Sequence, residues 1–143
     1  MGTDMIKNKI LVVIPAYNEG KSIKRVIDNL KENYSNYDYV IVNDGSKDDT
    51  IKICKENHYN YIDLPVNLGL AGAFQTGLKY AYAMGYEYAI QYDGDGQHRA
   101  EYIKEMCIRD RFWGTHKRTG GWNHESGYTV KKFRHGDFPM PDV

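Results

Sequence analysis

Four short stretches concentrate the residues whose types could do chemistry. In "QYDGDGQH" (91–98), Asp93 and Asp95 stand one residue apart, each followed by a glycine. Two carboxylates this close repel, so one is protonated or a cation sits between them and a partner. A hard divalent ion suits such oxygen ligands. Magnesium takes one or two protein carboxylates and fills its shell with water and substrate phosphates. Gly94 and Gly96 permit tight turns and close approach of a ligand. The same Asp-Gly pairs also build plain acidic β-turns. The other three stretches are "IPAYNEG" (14–20), "NDGSKDDT" (43–50) and "NLGLAGA" (67–73). Tyr17 offers a flat face for a base, with Glu19 beside it, although Asn18 near a helix cap explains the same letters. Asp44 can accept from a base or ribose, while Asp48 and Asp49 read as helix caps. Gly69, Gly72 and Ala73 let backbone pass close to a ligand, or let a helix pack close to a sheet.

The elements around these stretches give them meaning. "KILVVIP" (9–15) reads as a buried strand stopped by Pro15. Ile23, Val26, Ile27 and Leu30 fall at i, i+3, i+4 and i+7, which predicts a helix over 20–34. Further strands are expected at 37–44, 59–64 and 86–92, and further helices after Asp48-Asp49-Thr50, at 70–84 and at 99–106. The order β-α-β-α-β-α-β-α with short connections implies an α/β fold, a parallel sheet with helices on both faces. Ligands of such sheets bind beyond the carboxyl ends of the strands. All four chemical stretches sit there, which favours the cation reading of Asp93 and Asp95.

Bulk properties narrow the class. The chain has 143 residues, 41% hydrophobic and 27% charged, with zero formal net charge. That charge gives no global argument for nucleic acid. The apolar run Ile10–Ala16 is too short to span a bilayer, and "MGTDMIKNK" lacks an apolar signal region. Two cysteines, Cys54 and Cys107, without metal-ligand spacing suit a cytoplasmic protein. No G-x-G-x-x-G follows a strand, and "GAFQTGLK" (72–79) lacks the Gly-Lys-Ser/Thr of a P-loop. A calcium loop begun at Asp93 would need glycine where His98 stands and glutamate where Lys104 stands.

Taken together, "VVIPAYNE", "IVNDGSKDDT", "NLGLAGAFQTGLKYA" and "QYDGDGQH" resemble the family 2 glycosyltransferases of GT-A fold, over about residues 9 to 106. The nearest flavour is that of polyprenyl-phosphate and cell-surface polysaccharide enzymes. The resemblance implies that Pro15, Ala16, Tyr17 and Glu19 line a nucleotide pocket. It places Asp44 on the base or ribose with Gly45 in the turn, and Asn67, Gly69 and Gly72 along the donor's path. Asp93 and Asp95 match the family's D-x-D motif, so Mg2+ or Mn2+ would sit on Asp95 with Asp93 in support or reaching the ribose. Gln97 and His98 would lie beside the donor sugar. The implied reaction moves a sugar, with inversion, from a nucleotide-diphosphate sugar to a polyprenyl-phosphate or glycan acceptor. The metal would neutralise charge developing on the diphosphate. A hydroxyl acceptor also needs a general base, and no residue here matches one. A sugar-nucleotide nucleotidylyltransferase would instead show a glycine-rich basic loop after the first strand. A non-catalytic nucleotide- or metal-binding fragment is the other alternative.

From Cys107 on the vocabulary changes. Residues 107–143 hold only three Ile, Leu or Val, but both tryptophans and three of four phenylalanines, with seven basic against four acidic residues. "MCIRDR" (106–111) resembles translated sequencing-adaptor read-through. The expectation is a nucleotide-sugar-binding half over 1–106, and a non-family tail over 107–143, artefactual or disordered. On that reading the fold is truncated, the fourth strand lacks a neighbour, and the chain does not turn over alone. The full-length protein would work in the cytoplasm, peripherally at the inner face of the membrane.

Overall fold

The computed structural model describes residues 10–33, 35, 37–92, 122–123 and 130–133. The element order is β1 (Ile10–Ala16), α1 (Ile23–Asn33), β2 (Asp38–Asn43), α2 (Thr50–Glu56), β3 (Tyr61–Asp63), α3 (Gly69–Ala83), β4 (Tyr88–Gln91), β5 (Trp122–Asn123) and β6 (Val130–Lys132). The sheet runs β3-β2-β1-β4-β6-β5. The first four strands are parallel, as alternation predicted. The expected helix at 99–106 lies outside the described residues.

β1 is buried along its whole length because both of its faces are covered. Ile10, Val12, Ile14 and Ala16 point to one side and pack with Ile23, Val26, Ile27 and Leu30 of α1 and Cys54 of α2. Leu11 and Val13 point to the other and pack with Ala73, Phe74, Leu78 and Ala81 of α3. Each fully buried aliphatic side chain contributes about 1.5–3 kcal/mol relative to exposure. The four apolar positions that predicted α1 are all buried. Burial pushes the Cys54 thiol up to about 11, with the charge of Asp63 adding to it. It is a packing residue rather than a nucleophile.

Pro15 does not stop β1. The strand continues to Ala16, with Pro15 opposite Val42 and Ala16 opposite Asn43. The pairing of β1 with β4 ends at Val13, two residues earlier, so Pro15 lies beyond that ladder. Its missing N–H therefore interrupts no bond there.

β4 has a neighbour, contrary to expectation. β6 runs antiparallel to it, with Tyr88 opposite Lys132 and Ile90 opposite Val130. The Phe133 N–H extends the contact to the Glu87 carbonyl at 2.9 Å. The Phe133 ring lies 5.7 Å from that of Tyr82. An open edge presents unpaired N–H and C=O groups, and even a three-residue strand satisfies them. Composition of the tail could not reveal this, because so short a strand needs few aliphatic residues.

α3 approaches the sheet through Ala73, Gly77 and Ala81, all buried at four-residue spacing. A Cβ on Gly77 would lie 2.3 Å from Val13 Cγ1. Gly77→Ala is therefore expected to lower stability by about 1–3 kcal/mol through overpacking. Adding Val13→Ala should recover part of the loss. Thermal unfolding of the single and double variants checks this, and an unchanged midpoint for Gly77→Ala would contradict the packing described.

Candidate functional site at the carboxyl edge of the sheet

The chain steps outward from β1 to β2 to β3, then returns to the far side of β1 to form β4. In open α/β sheets, ligands bind at such a switch in direction, beyond the carboxyl ends of the strands, here those of β1 and β4. Each ladder is extended past its strand. The Asp44 N–H donates to the Ala16 carbonyl at 2.8 Å, Leu64 N–H to Asn43 at 2.9 Å, and Tyr92 N–H to Val13 at 2.8 Å. The chain thus leaves β2, β3 and β4 from fixed points on one edge.

The loops after β1 and β2 are bonded to each other four times. The Asn18 N–H donates to Ser46 Oγ at 2.9 Å, and Asn18 Oδ1 accepts the Lys47 N–H at 2.9 Å. The Glu19 N–H donates to Thr50 Oγ1, and the Gly20 N–H to Asp48 Oδ2, both at 3.0 Å. Asp48 Oδ1 also accepts the Thr50 N–H at 2.9 Å and the Thr50 hydroxyl. Asp48 and Asp49 were expected to cap α2. Asp49 holds the cap position but makes no side-chain bond there. Asp48 makes the local contact and spans to the other loop as well.

The loops after β2 and β3 are joined by Asp44. Its Oδ1 accepts the Leu68 N–H at 2.7 Å, and its carbonyl accepts Asn67 Nδ2–H at 3.0 Å. Gly45 is in the left-handed region at φ +71°, and a Cβ there would lie 2.7 Å from the Asn67 nitrogen. Only glycine fits both constraints. Beneath, the Asn43 amide donates to Asp63 Oδ1 at 2.8 Å, and Asn43 Oδ1 has no partner among the described residues.

The residues singled out in the sequence divide as follows. Pro15 and Ala16 are buried in β1. Tyr17 is the first exposed residue after it, 45% accessible. Glu19 accepts the Ser22 hydroxyl on Oε2 at 2.9 Å, at the entry to α1. Asp44 is buried, with one carboxylate oxygen committed to Leu68. Asn67 packs on Gly45, and Gly69 opens α3 at φ +85°. A Cβ on Gly72 would meet Leu68 Cβ at 2.6 Å, so its smallness serves Leu68. The glycine that serves the sheet is Gly77, which sequence reading passed over. Asp93, Asp95, Gln97 and His98 lie outside the described residues. Among the described residues, no group of three or more His, Cys, Asp or Glu could hold a metal. No described helix is long and apolar enough to cross a membrane. Asn18, Ser46 and Thr50 were missed as site residues. Their partners lie 28 to 31 residues away, and no local window reveals them.

Compared with known proteins, residues 11–107 match the family described as Glycosyl transferase family 2. Over 120 residues the chain is 41% identical to a UDP-N-acetylglucosamine–dolichyl-phosphate N-acetylglucosaminyltransferase of Methanococcus voltae, covering 71% of this chain and 47% of that protein. The chain spans about half the length of the curated relatives it matches. Among solved structures it is similar to S. aureus TarS 1-349 in complex with UDP-GlcNAc, at TM-score 0.59 and 23% identity over 73% of this chain and 31% of the other. That likeness concerns the fold, which is the GT-A fold expected. A mannosyltransferase from Pyrobaculum calidifontis in complex with GDP-Man and Mn2+ is similar at TM-score 0.52 and 27% identity, over 61% of this chain and 27% of the other.

The bonds around Asp48 carry a pH dependence. Burial pushes its carboxyl up, but hydrogen bonds from Thr50 and Gly20 outweigh that and hold it below the ordinary 3.8. A group depressed on folding contributes stability that is present above its unfolded value and lost as pH falls through the folded one. The stability gap between the wild type and Asp48→Asn is therefore expected to be level above pH 3.8 and to narrow below it. Asp48 is exposed, so solvent screening keeps the gap small. Denaturant titrations across the acid range measure it, and a gap unchanged down to about pH 2 would contradict the assignment.

Proposed function

Because the chain belongs to glycosyl transferase family 2, we propose that residues 1–106 carry the donor-binding half of an inverting sugar transferase. The donor is a nucleotide-diphosphate sugar, and the acceptor a polyprenyl phosphate or a glycan. The observation that carries this is the cross-bonded rim at the carboxyl ends of β1, β2 and β3. It joins the loops that bear an exposed aromatic ring, Tyr17, and a buried carboxylate, Asp44.

Each group has a role in that reading. Tyr17 offers its face to the base, where stacking adds apolar contact. Asp44 keeps Oδ1 on the Leu68 N–H. Its carboxylate thus stays oriented while it accepts from the base or ribose. Pro15, Ala16 and Glu19 wall the pocket, and Asn67, Gly69 and Gly72 border the diphosphate. Gln97 and His98 would contact the sugar.

A divalent ion suits the D-x-D motif. Tyr92, held to Val13 at 2.8 Å, is the residue before Asp93 in the chain. Two carboxylates are hard oxygen donors, the chemistry Mg2+ or Mn2+ requires. Asp95 and Asp93 would hold the ion, which when bound offsets negative charge on the leaving diphosphate. The chain's own residues bind and orient the nucleotide.

The relatives' names support the substrate classes. The Methanococcus relative is named for UDP-N-acetylglucosamine and dolichyl phosphate, and the Pyrobaculum structure holds GDP-Man with Mn2+.

A thermal-shift screen of UDP and GDP with and without Mn2+ tests donor binding. A nucleotide at 100 times its dissociation constant is expected to stabilise the fold by about 2.7 kcal/mol. Asp95→Asn should abolish the Mn2+-dependent share while leaving the circular dichroism spectrum unchanged. Equal Mn2+-dependent stabilisation of the variant would sink the metal assignment. No stabilisation by either nucleotide would sink the donor reading.

A further inference from the structure

We propose that Asn18 is a positioning residue for the donor's base, acting through Tyr17. The inference rests on the donor-binding reading above and deepens it. Asn18 adopts φ +55°, in the left-handed region. Asparagine tolerates that region better than most residues with a side chain. The chain bends there, directly after Tyr17.

Both polar ends of Asn18 are committed to the same neighbouring loop. Its N–H, which shares a peptide plane with the Tyr17 carbonyl, donates to Ser46 Oγ, and its Oδ1 accepts the Lys47 N–H. On the other side, Ala16 is buried at the end of β1 and accepts the Asp44 N–H. Tyr17 is therefore clamped through backbone on both flanks. Its own side chain takes no part in the hydrogen bonds of the described residues and stands 45% exposed.

Ser46 and Lys47 follow Asp44 by two and three residues. Bonds from Asn18 to those residues thus fix the distance between the aromatic face and the carboxylate, the two groups that receive the nucleoside. Holding both before the ligand arrives removes an ordering cost from binding. A residue that merely stabilised the turn would affect unfolding and leave nucleotide affinity alone.

Amide hydrogen exchange and nucleotide titration separate these cases. Without nucleotide, the Lys47 amide should exchange more slowly in the wild type and in Asn18→Asp than in Asn18→Gly. Glycine keeps the left-handed turn but lacks the acceptor. In titrations with UDP and GDP in the presence of Mn2+, Asn18→Gly should raise the dissociation constant about three- to tenfold, the effect of one lost hydrogen bond. Asn18→Asp, which keeps the acceptor, should restore binding to within about twofold of the wild type. Gly77→Ala, on the opposite face of β1, should lower the melting temperature and leave affinity unchanged. Wild-type affinity in Asn18→Gly, or a Lys47 amide equally unprotected in wild type and Asn18→Gly, overturns the proposal. A wild type that protects Lys47 but binds neither nucleotide overturns the donor reading, and the role given to Asn18 falls with it.

Discussion

The carboxyl end of β1 is the fixed point on which the rest of the site depends. β1 pairs with β2 on one side and β4 on the other, and side chains cover both of its faces. A strand held in four directions cannot shift without breaking ladder bonds and opening the core together. The Ala16 carbonyl receives the Asp44 N–H, and the Val13 carbonyl receives the Tyr92 N–H. Asp44, which opens the acidic stretch 44–49, and Tyr92, which precedes Asp93 in the chain, are both held to this one strand.

The loops beyond that edge owe their order to an accounting of polar groups. Turns near a buried sheet end leave backbone N–H groups that must find acceptors. Here the acceptors are side chains of the adjacent loop: Ser46, Thr50, Asp48 and Asn18. Each bond is worth only about 0.5–1.5 kcal/mol net. Their effect is geometric, since they join segments 28 to 31 residues apart in the chain. Asp44 adds the third loop through Leu68 and Asn67. The outcome is one braced rim rather than three independent turns, which suits a site that must present an aromatic face and a carboxylate at a set spacing.

Small residues have separate tasks that one helix combines. Gly69 allows the positive φ at which α3 begins, Gly72 makes room for Leu68, and Gly77 lets the helix sit against Val13. The first two shape the loop that Asp44 holds, and the third sets the depth of the helix on the sheet. Glycine inside a helix costs about 0.5–1 kcal/mol relative to alanine, a cost offset by the close approach of α3 to β1.

Much of this was legible in the chain itself. Continuous aliphatic runs at 10–14 and 40–42, with the i, i+3, i+4, i+7 series of α1, determined a parallel sheet covered on both faces, because two-sided burial erases alternation. The ordered motifs determined the family. Pro15 misled, since a proline ends a strand only where its N–H is needed. The partner of β4 was hidden, since a three-residue strand leaves almost no compositional trace. Asp48, Asn18 and Thr50 look like local caps in any short window. That they also bond across the rim was decided by tertiary structure alone, because hydrogen bonds between loops depend on which strands are neighbours, and strand order is not written at any one position in the sequence.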